Sequence, residues 1–220
     1  MSLSWSQIFR LGLVQMALGS IVVLTTSTLN RLMVVEFSLP AMLPGALVGL
    51  HYGIQLTRPR WGFRSDVGGN RTRWIIGGMV ILALGGVGAT YAVTLFAVHY
   101  WLALVASIVS YGMIGIGVGA SGTSLLALLA TATAADRRAA AATITWLMMI
   151  FGIALTAGVA GQFLDPYSPQ RLMAVVSVIA LLAIVVTALA IWNIERSVSS
   201  RASEPNIPFQ EALREVWAEA

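Results

Sequence analysis

Six apolar stretches, each long enough or nearly long enough to cross a bilayer, take up most of residues 11–192. They fall at about 11–30, 41–57, 74–97, 101–130, 139–163 and 171–192. A spanning helix needs about 20 apolar residues, and the second stretch is the one that barely qualifies. The expected fold is an all-α integral membrane protein, a bundle of six transmembrane helices. The arginines orient it. Arg10, Arg58, Arg60, Arg64, Arg71, Arg73, Arg137, Arg138, Arg196, Arg201 and Arg214 fall on the side of the N-terminus, and only Arg31 and Arg171 fall on the other. An excess of basic residues marks cytoplasmic loops, so both termini are expected in the cytoplasm.

Composition agrees and narrows the function. With 58% hydrophobic and 10% charged residues, the chain would precipitate as a soluble domain. Its formal charge of +4 comes from arginines in short loops beside the spans, which points to anionic lipid headgroups and not to nucleic acid. Without cysteines, disulfides, iron–sulfur clusters and thiolate zinc sites are excluded. The acids, Glu36, Asp66, Asp136, Asp165, Glu195, Glu204, Glu211, Glu215 and Glu219, lie in loops or tails, and His51 and His99 are the only histidines. No His/carboxylate group has metal-site spacing, and no catalytic activity is expected. The first ten residues are too short and polar for a cleaved leader, so the first span is read as a retained helix.

The chain divides into the bundle, residues 1–194, and a polar cytoplasmic linker, residues 195–220. Pro208 opens an amphipathic helix in that linker, with Phe209, Leu213, Val216 and Trp217 at helical spacing. In the second span Gly45, Gly49 and Gly53 recur every fourth residue. The fourth span carries Gly112, Gly115, Gly117, Gly119 and Gly122, and the fifth Gly152, Gly158 and Gly161. Such small-residue faces let helices approach closely. The first external loop holds Arg31 and Glu36, an opposite-charge pair read as a solvated interfacial turn. Residues 164–170, with Pro166 and Pro169, form another turn. His99, beside Tyr100 and Trp101, belongs to an interfacial aromatic belt.

The segment between spans two and three, residues 58–73, is the most distinctive. Gly62, Asp66, Gly69, Arg71 and Arg73 follow the pattern Gly-x-x-x-Asp-x-x-Gly-x-Arg plus a further basic residue. Glycines permit a tight reversal, an Asp near a helix N-terminus accepts backbone donors, and arginines hold the loop at the headgroups. The pattern resembles the loop signature of the major facilitator superfamily. That resemblance implies one six-helix half of a twelve-helix protein, completed by a second half or a second copy.

Four stretches resemble a narrower group. Thr28-Leu29-Asn30-Arg31-Leu32-Met33-Val34-Val35-Glu36, Leu43-Pro44-Gly45-Ala46-Leu47-Val48-Gly49-Leu50-His51-Tyr52, Arg58-Pro59-Arg60-Trp61-Gly62 and Trp146-Leu147-Met148-Met149-Ile150-Phe151-Gly152-Ile153 are similar to the bacteriochlorophyll delivery family, the PucC/LhaA-like light-harvesting assembly proteins of phototrophic bacteria. The resemblance runs from about residue 6 to the C-terminus, as the N-terminal half of a longer protein. It implies an assembly factor in the intracytoplasmic photosynthetic membrane that delivers or inserts bacteriochlorophyll. Implied partners are the bilayer, antenna polypeptides or a reaction centre, and pigment-synthesis enzymes.

His51 is the one ionisable side chain near the middle of a span, which makes it a functional candidate by default. A neutral imidazole is a good axial ligand for chlorophyll magnesium. Gln55 lies one turn further along the same face, opposite the glycine stripe. Two readings stand: the stripe packs inward while His51 meets a pigment, or His51 bonds to a neighbouring helix. Antenna polypeptides commonly place a small residue four before the ligating histidine, and here that position is Leu47. Two rival functions remain. One is half of a proton-coupled solute transporter, disfavoured because no carboxylate lies inside a span. The other is a structural subunit of an antenna complex.

Overall fold

The computed structural model describes residues 2–67 and 70–195, and the side chains of these except residues 64–67. Among them every regular element is a helix: α1 (Trp5–Val23), α2 (Leu29–Val35), α3 (Met42–Ile54), α4 (Arg58–Val67), α5 (Arg71–Leu95), α6 (Tyr100–Ala132), α7 (Arg138–Phe163) and α8 (Pro169–Ile191). Gly69 and the amphipathic helix expected after Pro208 lie outside the described residues.

Local chemistry fixes the ends and the bends. Ser4 and Gln7 start α1 with a reciprocal capping box. A π-turn, Leu24–Thr28, joins α1 to α2 without breaking the helical path, so Trp5–Val35 is one rod of 31 residues. Three threonines lie in this turn, Thr25, Thr26 and Thr28. Thr25 Oγ1 and Thr26 Oγ1 donate back to the Val22 carbonyl at 3.0 and 2.8 Å, a pattern that bends helices. The Thr25 carbonyl accepts a 2.7 Å bond from the buried Tyr111 hydroxyl of α6, which pins the turn to its neighbour.

Among the described residues five helical runs are long and apolar enough to cross a membrane: Trp5–Val35, Arg71–Leu95, Tyr100–Ala132, Ala135–Phe163 and Pro169–Ile191. The expectation of six comparable spans is corrected at the second. Helix α3 has 13 residues, a rise of about 20 Å, against a hydrocarbon core of about 30 Å. It continues through a 3₁₀ turn, Gln55–Thr57, into α4, and the composite rod runs alongside α6. The His51 carbonyl and Ile54 abut Gly115, Trp61 abuts Gly119, and Gly62 abuts the Thr123 methyl. Residues 58–67, expected as loop, are therefore helical. Arginine is a good helix former, and Pro59 sits in the first turn, where its missing N–H costs nothing.

Helix α1 packs on α7 and α8, α8 on α5, α5 on α6, and α6 on the α3–α4 rod. In lipid no hydrophobic force drives helices together, so close backbone packing must do it. The α5–α6 seam shows how. A Cβ added at Gly117 would lie 2.5 Å from the Leu82 nitrogen, and one at Gly78 would lie 2.5 Å from the Ser121 nitrogen. On the α1–α7 seam, a Cβ at Gly152 would lie 2.5 Å from the Met16 carbonyl oxygen. By contrast Gly45, Gly49, Gly53, Gly158 and Gly161 have nothing within 4 Å of a would-be Cβ. The α3 stripe thus faces away from the bundle.

Aromatic rings gather at both ends. Trp61 and Trp74 lie 5.8 Å apart at the end that carries the N-terminal residues and most of the described arginines. At the opposite end Phe96, Tyr100 and Trp101 form a chain of 5.5 Å contacts beside His99.

Candidate functional site

Three polar groupings stand out against the apolar helices. The first is a column on the α3–α4 rod. His51 is 1% exposed, turned toward α6. Its Nε2 lies 2.9 Å from Gln55 Nε2, and Gln55 Oε1 accepts from the Arg58 guanidinium. That second bond sets the amide orientation, so Gln55 donates and the His51 Nε2 lone pair accepts. The ring proton is then on Nδ1, which is buried without a partner. Of the two readings of His51, the observed contacts are local: its partner is Gln55, one turn along the same rod. In this arrangement neither ring nitrogen offers a lone pair to a magnesium ion. Leu47, one turn before it, is buried as well.

The second grouping is the 62–73 motif. Gly62 lets α4 pack against Thr123. The Asp66 side chain lies outside the described ones. Asn70 caps α5, its Oδ1 accepting from the Arg73 N–H at 3.3 Å. The Arg71 guanidinium donates to Thr131 Oγ1 and to the Ala127 carbonyl of α6. The residue that completes the motif was not singled out from the sequence. Glu195, just past α8, accepts the Arg71 N–H at 2.7 Å and the Thr72 N–H at 2.8 Å, one on each carboxylate oxygen. Three of the four orphan donors of α5 are thereby satisfied. Asn193, at φ 60°, turns the chain out of α8 and toward α5, and Ile194 behind it is fully buried. Arg10 holds the same junction from α1, donating to the Leu189 and Trp192 carbonyls at 3.2 and 2.6 Å. Only the opposite charges near the span ends hinted at this in the sequence.

The third grouping is a cavity of about 470 Å³ at the arginine-poor end, between the π-turn and α2 on one side and the end of α7 on the other. Ser27, Thr28, Arg31, Glu36, Asp165 and Tyr167 supply its polar lining. Arg31 and Glu36, read from the sequence as a solvated interfacial turn, both border it.

The chain matches the model of the PUCC protein family over residues 28–220. It is 63% identical over 220 residues to the "Bacteriochlorophyll synthase 44.5 kDa chain" of Rhodobacter capsulatus, an alignment covering 100% of this chain and 51% of that protein. It is 29% identical over 229 residues to "Protein PucC" of Rhodobacter capsulatus, covering 96% of this chain and 49% of that one. A third relative, the "Uncharacterized protein in puhA-bchM intergenic region" of the same organism, is 26% identical over 223 residues, covering 96% and 46%. The chain spans about half the length of the curated relatives it matches.

Proposed function

The chain belongs to the PucC family, and on that premise we propose that it serves the assembly of bacterial light-harvesting complexes by delivering or inserting bacteriochlorophyll at the photosynthetic membrane. The observation that carries this reading is the 63% identity, over the whole of this chain, to a relative whose name contains bacteriochlorophyll. That name also contains the word synthase. The role proposed here is delivery or insertion and not catalysis, in keeping with the relatives named PucC.

The partners follow from the faces left open. The outward stripe Gly45, Gly49 and Gly53, and the α7 face with Gly158, Gly161 and the exposed Trp146, Ile150 and Phe151, suit close contact with further helices. We assign them to the second half of a twelve-helix, major-facilitator-like protein, to a second copy, or to antenna polypeptides. Transport of a small solute with protons is the less favoured reading. Glu36, Asp136, Asp165 and Glu195, the carboxylates whose side chains are described, all stand at helix ends or in connections, where none can carry a proton through the bundle.

The test is to express the chain in a bacteriochlorophyll-producing host, purify it in mild detergent and record the near-infrared spectrum. A stoichiometric red-shifted bacteriochlorophyll band is expected. A colourless, folded protein, both alone and joined to the second half of its 63% identical relative, would overturn pigment handling.

His51 is tested separately. If it ligates pigment, it must first release Gln55, so Gln55→Leu should keep or raise bound pigment while His51→Ala removes it. If both variants keep the wild-type pigment content and His51→Ala only lowers stability, His51 is a packing residue. Loss of the Gln55 bond alone would then cost about 1 kcal/mol.

A further inference from the structure

The cavity at the arginine-poor end takes no part in pigment handling as proposed above, yet its chemistry is specific. It holds one guanidinium, Arg31, and two carboxylates, Glu36 and Asp165. Among the described residues these three make no side-chain bond with one another or with any neighbour. Three mutually unpaired charges of both signs around one space are complementary to a molecule that itself carries both signs. Their sum is negative, which favours a cationic group able to satisfy two carboxylates at once.

Tyr167 adds a donor. Its hydroxyl is buried without a partner, which costs free energy unless something accepts from it. The ring packs edge-on against Phe37, 6.4 Å between centroids. Burial, and then the Glu36 charge, push its pKa above the ordinary phenol value, which keeps it a neutral donor. The wall is fixed as well: Arg171 binds the Pro166 carbonyl at 3.1 Å, and Ser168 caps α8 through the Arg171 N–H at 3.2 Å.

Depth and surroundings select the kind of zwitterion. The cavity lies where Val35, Phe163 and Pro169 end or begin their helices, the level at which headgroups meet a bundle of apolar helices. It passes into apolar wall at Leu32, Ala157 and Leu164. Below that wall the outward side of α7 exposes Leu155 and Val159, a surface suited to acyl chains.

We propose that this cavity seats the headgroup of an aminophospholipid of the phosphatidylethanolamine type. Arg31 takes the phosphate, Glu36 and Asp165 take the ammonium, and Tyr167 donates to an ester or phosphate oxygen, while the acyl chains follow α7. A guanidinium suits phosphate by its planar fork of donors. An ammonium with three N–H donors suits two carboxylates, which a quaternary choline cannot do by hydrogen bonding.

The test uses the full chain, delipidated in detergent and then offered phosphatidylethanolamine, phosphatidylglycerol or phosphatidylcholine of matched acyl chains. Retained lipid is counted by native mass spectrometry. The wild type should hold phosphatidylethanolamine about tenfold better than either other lipid, the worth of one charge-assisted hydrogen bond. Glu36→Gln/Asp165→Asn should abolish the preference for ethanolamine over choline. Arg31→Gln should weaken all three lipids, and Tyr167→Phe should weaken them least. Unchanged helicity and monodispersity keep each variant interpretable. Equal retention of the three lipids by the wild type would overturn the proposal. So would an ethanolamine preference that survives the double variant. Displacement by free phosphoethanolamine at concentrations comparable to the lipid would assign the site to a soluble zwitterion and overturn the lipid seat.

Discussion

Gly117→Val should unseat α5 from α6 and lower the stability of the bundle by about 3 kcal/mol, the upper part of the usual range for overpacking. The reason is what the new side chain would strike. At 2.5 to 2.7 Å from the new Cβ lie the nitrogen and Cα of Leu82 and the carbonyl oxygen of Gly78, all of them backbone. No rotamer change relieves a clash with backbone, so the helices must separate. Separation gives up the dispersion contacts that hold helices together in lipid. Gly49→Ala is the matched control, since its Cβ meets nothing within 4 Å; its effect on this chain should stay within about 0.5 kcal/mol. Thermal unfolding of both variants in one detergent decides the matter. Equal midpoints for wild type and Gly117→Val would mean that the seam is looser than described.

Glu195→Ala should cost about 2 kcal/mol, the second-largest loss expected. A carboxylate that accepts two N–H groups is worth more than a neutral acceptor, but water reaches this half-buried site and recovers part of the loss. Glu195→Gln keeps one acceptor oxygen and should lose roughly half as much. The local signature is amide exchange at Arg71 and Thr72, which should quicken in the Ala variant while the exchange of α7 stays unchanged. Uniform quickening across all helices would place the effect elsewhere than at this cap.

The two substitutions also show which parts of the molecule were legible beforehand. Spans are legible because a bilayer demands a length and an apolarity that the chain cannot disguise, and five of the expected six coincide with long apolar helices. The second was misread because charge was taken as the end of a helix. Arg58, Arg60 and Arg64 continue the rod, since helical propensity does not stop where apolarity does. The i, i+4 relation of His51 and Gln55 was legible, and they do bond; that their shared side faces α6 was not. A glycine period identifies a face but not its neighbour. The stripe on α3 faces outward, and the glycines that pack at backbone distance include Gly78 of α5, to which the sequence drew no attention. Glu195 and Arg10 act across more than a hundred residues of chain. Local pattern carries no information on such pairings, and the same holds for the cavity shared by Arg31 and Asp165.

The turn at Asn193 has one further consequence, for direction. Helix α8 packs on both α1 and α5. The left-handed turn at Asn193, the buried Ile194 and the doubly engaged Glu195 carry the chain out of α8 onto the first turn of α5. Residue 195 is therefore held against the first turn of α5, an anchorage that a β-branched residue at 193, intolerant of positive φ, would release.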